Sequence, residues 1–199
     1  MNDVTRQIRE QAATLFNDDR VDILVGYRDG TLPLRTRPCF VSSADEVDEL
    51  VWNSFCSNNL AVFLSRLFEP PPNVRETPPP PRVGIIAKGC DLRSTVGFVK
   101  ENQAARENVV IIGVPCRGTV DLSKLADALD GEIVVSCDNE TDSTLDVTTT
   151  SGDTRTVDRD DVIADACLEC RHPFPDGADV AVTGDPRSPD PDLEETSCP

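Results

Sequence analysis

The residues with the most chemical content are cysteines, of which the chain has eight. Two follow apolar runs directly. Cys90 lies in Lys88-Gly89-Cys90-Asp91, and Cys116 lies in Val114-Pro115-Cys116-Arg117-Gly118. Two more form a C-x-x-C pair, Cys167-Leu168-Glu169-Cys170. Thiolates at that spacing can chelate one metal centre from a single turn. Together the four make the complement for a 4Fe–4S cubane or a tetrahedral zinc. A redox disulfide between Cys167 and Cys170 would need the motif to open a helix directly after a strand, and here a helical pattern precedes it. Four unligated thiols are the remaining reading. Cys39 and Cys137 fall in stretches that read as strands, Cys56 on an apolar helical stretch and Cys198 in the tail.

The elements that must position these thiols are legible as apolar patterns. Val83–Ala87 and Val109–Val114 are short continuous apolar runs, each followed by a helical pattern, Leu92–Asn102 and Leu122–Leu129. Two β-then-α units with strands apolar on both faces predict a parallel sheet with helices packed over it. Loops after parallel strands leave the same sheet edge, and neighbouring strands are ~4.8 Å apart. Adjacent strands would therefore bring Cys90 and Cys116 side by side at the carboxyl edge, where open α/β sheets hold ligands.

The remaining segments frame that unit. Val4, Ile8, Ala12, Leu15 and Phe16 have helical spacing. Val21–Val25 reads as a strand, and an extended piece follows through Leu32–Val41. Ser43 opens a helical pattern reaching Leu67, in one helix or two broken near Asn58-Asn59. Glu69–Pro81 holds seven prolines and is a linker or exposed loop. Residues 132–157 read as a meander of short strands, Asp160–Ala166 as a helix, and Asp179–Thr183 as a last strand. The fold class is thus α/β: a small parallel-containing sheet with helices on its faces, plus a short β meander. The expected organisation is an N-terminal α/β segment (1–68), a Pro-rich linker or loop (69–82), a metal-binding α/β domain (83–185) and a disordered acidic tail (186–199).

Charge narrows the function classes. The chain of 199 residues carries 19 Lys and Arg against 36 Asp and Glu, a formal charge of −17. Such a surface repels phosphate backbones and anionic lipid, which argues against nucleic-acid and membrane-surface partners. Asp outnumbers Glu 24 to 12 and Arg outnumbers Lys 16 to 3, a composition suited to high salt, of an archaeal, halophilic kind. No apolar run approaches the ~20 residues that span a bilayer. Met1–Arg20 is polar and reads as neither signal nor transit peptide, so a cytoplasmic location is expected. There is no G-x-x-x-x-G-K-[ST] and no G-x-G-x-x-G. The one histidine, His172, has no nucleophile elbow beside it.

Three stretches together resemble a known family. They are Lys88-Gly89-Cys90-Asp91-Leu92-Arg93, Ile112-Gly113-Val114-Pro115-Cys116, and Cys167-Leu168-Glu169-Cys170-Arg171-His172-Pro173 with the following Ala178-Asp179-Val180 and Gly184-Asp185. The chain looks like a short iron–sulfur relative of the coenzyme F-420 hydrogenase and dehydrogenase beta subunits. The resemblance covers about Val83–Asp185. It implies one 4Fe–4S cluster on Cys90, Cys116, Cys167 and Cys170. It also implies an oxidoreductase subunit that passes electrons between a partner subunit of hydrogenase, dehydrogenase or disulfide-reductase type and a flavin or deazaflavin. FAD and coenzyme F-420 are then further candidate cofactors. No residues match sites for them. Independently of the family, Lys88, Arg93 and Arg117 flank the first two cysteines. They could raise the potential of an anionic cluster, bind flavin phosphates, or pair with local carboxylates. Gly89, Gly113 and Gly118 would allow close backbone approach to a bulky group, and His172 could reach a cluster sulfur or carry a proton. The alternative function is a four-cysteine, zinc-stabilised interaction module without redox activity.

Overall fold

The computed structural model describes residues 3–70, 72 and 78–188. Residues 71, 73–77 and the tail from 189, with Cys198, lie outside the described residues. Helical spacing near the N-terminus produces α1 (Asp3–Asn17), which buries Thr5, Ile8, Ala12 and Leu15. Strands β1 (Ile23–Asp29) and β2 (Thr36–Val41) form an antiparallel hairpin, with Leu24 opposite Val41 and Asp29 opposite Thr36. The first strand thus begins and ends later than its Val21–Val25 pattern suggested. Pro38 is tolerated because β2 is an edge strand.

The helical reading of 43–67 is corrected. The segment contains a 3-10 turn at Ala44–Glu49, another at Leu60–Phe63, and the single-turn helix α2 (Leu64–Leu67), with irregular chain between. Asparagine side chains compete for the backbone there. Asn53 Oδ1 accepts from the Phe55 N–H at 2.9 Å, and Asn59 Oδ1 accepts from the Ala61 N–H at 3.0 Å. Of the apolar residues in the pattern, Val47, Leu50 and Phe55 are buried, while Val62 is 52% exposed.

The β-α units form as expected. Strand β3 (Val83–Ala87) is buried at every position and feeds α3 (Gly89–Lys100). Strand β4 (Val109–Gly113) is followed, after the loop 114–121, by α4 (Leu122–Ala128). The meander is β5 (Val134–Glu140), β6 (Thr144–Thr149) and β7 (Thr154–Asp158), a separate antiparallel sheet of three strands. The expected helix at 160–166 breaks into α5 (Arg159–Val162) and α6 (Asp165–Leu168). The break has a tertiary cause. Ile163 bridges Val120, and the Ala164 N–H donates to the Thr119 carbonyl at 2.9 Å. A short β8 (Val180–Ala181) completes the larger sheet, whose order is β2-β1-β3-β4-β8 with every pair but β2-β1 parallel.

Two apolar clusters hold the fold. The larger gathers β1, β3 and β4 with α1 and the 50–64 segment. The smaller joins Phe55, Val120, Leu125, Leu129 and Val162 to Leu145, Val147 and Val157 of the meander. Between them lies a polar bridge. Arg159, fully buried, donates from Nε to the Thr141 carbonyl (2.9 Å) and from Nη1 to Ser54 Oγ (2.7 Å). The Glu140 carboxylate, 3.7 Å from Arg159, accepts from Ser54 Oγ at 2.6 Å. No described helix is long and apolar enough to cross a membrane.

Candidate functional site

Strands β3 and β4 are neighbours in register, Ala87 opposite Gly113. Their following loops therefore leave one edge together. Cys90 stands in the first turn of α3, and Cys116 stands in the loop after β4. The broken helix then brings in the C-x-x-C pair. Because Ile163 and Ala164 pair with 119–120, α6 starts beside that loop, with Cys167 on it and Cys170 just beyond.

Backbone contacts thread the C-x-x-C segment between the two loops. The Cys116 N–H donates to the Pro173 carbonyl at 2.8 Å. A Cβ on Gly89 would lie 1.8 Å from the His172 carbonyl oxygen, so only glycine permits this approach. Gly118, in the left-handed region at φ +90°, holds its Cα close to Cys167. Two N–H groups point at sulfur: Gly118 to Cys116 Sγ and Thr119 to Cys167 Sγ, each at 3.4 Å. Burial pushes the Cys116 thiol up to about 11, with the Gly118 N–H and the Lys88 cation pulling down and the Cys167 and Cys90 thiols adding to the rise. Burial also raises Cys90, with smaller contributions that include Cys170. Cys90 and Cys116 thus follow neighbouring strands at one sheet edge, and the segment after the C-x-x-C pair makes backbone contacts with both loops. Among the described residues, no three Cys, His, Asp or Glu side chains close around a common point as a finished single-ion shell. The seven described cysteines are all free. Soft thiol donors with N–H groups aimed at sulfur are features that a thiolate-held metal centre can use.

The flanking cations separate by environment. Lys88 is buried, and its Nζ donates to Tyr27 Oη (2.5 Å), the Asn58 carbonyl (2.9 Å) and the Cys56 carbonyl (3.1 Å), with Asp91 at 3.2 Å. Burial alone would lower its pKa, but the Asp91 carboxylate and Tyr27 outweigh that and raise it, so Lys88 is charged. Arg117 pairs with Asp142 at 3.0 Å and donates to the Asp185 carbonyl at 3.1 Å. Arg93 projects from the exposed side of α3. His172 is exposed, and the contact it makes at Gly89 is through its backbone.

Sequence reasoning missed a cavity. A cleft of about 1290 Å³ opens beside Cys116, lined by 29–36, 51–56, Lys88, 115–119, 137–140 and 183–185. Cys137 thus shares a cavity wall with Cys116, although its thiol, pushed up to about 12 by burial, is not a ready nucleophile. The wall at 29–36 includes Leu34 at φ +55°, a left-handed leucine. The Asp29-Gly30 pair is a local turn signal within this loop.

Comparison with known proteins gives three findings. Residues 81–192 match the family model for the C-terminal part of the coenzyme F420 hydrogenase/dehydrogenase beta subunit. A chain of the xenon-derivatised F420-reducing [NiFe] hydrogenase complex from Methanosarcina barkeri has a similar structure, with a TM-score of 0.65 and 13% identity over 92% of this chain and 68% of that one. At that identity the likeness concerns the fold. No curated protein matches the chain. More than half of the sequence fits the family model, and the matched stretch contains all four loop thiols; the chain belongs to the coenzyme F420 hydrogenase/dehydrogenase beta-subunit family.

Proposed function

We propose that the protein is an electron-transfer subunit with one 4Fe–4S cluster held by Cys90, Cys116, Cys167 and Cys170. It relays electrons between a partner oxidoreductase of hydrogenase, dehydrogenase or disulfide-reductase type and a flavin or deazaflavin, with FAD and coenzyme F-420 the candidate occupants of the cleft. The observation that carries this reading is the threading of the C-x-x-C segment between the two strand-end loops, through the Cys116–Pro173 hydrogen bond and the Gly89–His172 approach.

The cluster, when bound, supplies one-electron storage. The chain's own residues set its surroundings. The N–H groups of Gly118 and Thr119 draw negative charge from two sulfurs, which raises a cluster potential. Lys88 adds a fixed positive charge where the cleft meets the cysteine edge. Arg117, on the cleft wall next to Cys116, is the cation positioned for an anionic ligand such as a flavin phosphate, at the cost of its carboxylate pairs. Arg93, on the outer side of α3, acts at the cluster's outer surface rather than in the cleft. No side chain is required as acid or base, since the cofactors carry the chemistry. A cytoplasmic location fits this role.

The test is the metal and sulfide content of protein purified without oxygen in high salt. About four iron and four acid-labile sulfides per chain, with broad absorbance near ~400 nm, support the reading. One zinc and no iron would sink it and leave a structural zinc module on the same four cysteines. In the iron-loaded case, Cys167→Ser abolishes the colour.

A further inference from the structure

The chain's acidic residues are not spread evenly. Asp and Glu make up 36 of 199 residues. Yet β2, the Leu60–Leu67 segment and α3 contain one acidic residue among them, Asp91, and it is fully buried against Lys88. The same elements carry exposed cations. On α3, Cys90, Arg93, Val96 and Lys100 follow at helical spacing, and all four are exposed. On the adjoining segment, Val62 and Arg66 are exposed four residues apart. Neither Arg66 nor Arg93 forms an ion pair with a described residue, although carboxylates are abundant elsewhere.

The same elements also expose apolar side chains. Val62 is 52% exposed, Phe40 48% and Val96 43%. Phe40 packs edge-on against Phe63 with ring centroids 5.3 Å apart. Asn59 Nδ2 donates to Ser94 Oγ at 2.8 Å and ties the segment to α3. An apolar centre with a cationic rim is the anatomy of a protein-docking surface.

We propose that this face docks the acidic surface of a redox partner protein. Charge complementarity selects the occupant. The net charge of the rest of the molecule repels an acidic partner, whereas this face carries cations without a described carboxylate partner beside exposed apolar side chains. The stripe also starts at Cys90, and Arg93 lies about 4.5 Å further along the helix axis, so a partner seated here is next to a thiol of the proposed cluster. Docking itself does not require that cluster; only the passage of electrons across the face rests on the function proposed above.

The experiment uses the full chain, with a small acidic two-cluster ferredoxin as the probe. Binding is measured from about 0.1 M to 1 M salt, because salt screens the net repulsion between the two acidic proteins and the local attraction alike, and the variants are compared at the lowest salt at which wild type binds. Wild type is compared with Arg66→Glu/Arg93→Glu, with Val96→Ser, and with Arg20→Glu, an exposed arginine at the opposite sheet edge. The expected result is a roughly tenfold or greater weakening for the double variant, a smaller loss for Val96→Ser, and no change for Arg20→Glu. Equal binding by wild type and the double variant overturns the proposal. So does self-association that the double variant abolishes, because the occupant would then be a second copy. Iron content, measured on the same samples, reports on the cluster separately, so loss of one reading is not mistaken for loss of the other.

Discussion

At the residue scale, the site depends on two kinds of position: thiols that must be reachable and glycines that must lack a side chain. Cys56 is buried, with its thiol pushed up to about 12 by burial, and Cys39 likewise to about 11. Their thiolate fraction at pH 8 is on the order of a thousandth or less. In metal-free protein, iodoacetamide at pH 8 should therefore label exposed Cys90 and leave buried Cys56 unmodified, which peptide mass spectrometry reads directly. Labelling of Cys56 before Cys90 would contradict the burial described above. Two glycines of one helix make a contrasting pair. Gly89→Ala places a Cβ against the His172 carbonyl and should cost about 1–3 kcal/mol, along with the cysteine geometry. Gly97→Ala meets nothing within 4 Å in a helix interior and should stabilise by about 0.5–1 kcal/mol. Chemical denaturation of both variants checks the opposite signs. That Cys90 and Cys116 follow neighbouring parallel strands was legible from the apolar runs before them. Lys88 was read correctly as a neighbour of Cys90, but its burial under Tyr27 and Trp52 was not, because no local pattern announces a lysine whose partners come from distant segments.

At the element scale, the continuous apolar runs of β3 and β4 were unambiguous, since a strand buried on both faces has no polar alternation to misread. The 43–67 segment misled because its apolar residues have helical spacing while its asparagines prefer turns. The break at Ile163 was invisible for another reason, as its cause is a bridge to Val120. That bridge makes a prediction. Ala164→Pro, at a φ of −61° that proline accepts, removes the N–H that bonds the Thr119 carbonyl beside that bridge and should loosen α6. Cys167 then becomes more reactive to alkylation in the metal-free protein, with the far-UV spectrum nearly unchanged. The Arg159 bridge makes another. Arg159→Ala leaves Glu140 and Ser54 without their buried donor and should destabilise by about 3 kcal/mol. Arg159→Met/Glu140→Gln should recover part of that loss in the same urea titration.

At the scale of the whole molecule, a net charge of −17 works against the compact state through self-repulsion. Salt shortens the range of that repulsion from about 10 Å at 0.1 M to about 3 Å at 1 M. The melting temperature should therefore rise by several degrees between 0.1 M and 3 M KCl, and a flat or falling profile would remove the salt-adapted reading of the composition. The sheet order could not be read from the sequence, but the consequence that matters for the site, two neighbouring parallel strands, could. The cleft could not, since its walls come from α1, the β1–β2 loop, the 51–56 segment, the loop after β4, the meander and residues 183–185.

The thiols come from three separated stretches of one chain, and this imposes an order on biosynthesis. Cys90 and Cys116 emerge with β3 and β4, whereas Cys167 and Cys170 are made later. At about 5–20 residues per second, the wait between Cys116 and Cys170 is roughly 3–11 s. During that interval the nascent protein presents a half-built pair of thiols at the end of a growing sheet. A ribosome stalled within the meander would leave that pair open to oxidants or stray metal. The length of chain between Cys116 and Cys170, much of it the meander, therefore sets how long the first thiols must wait for the last.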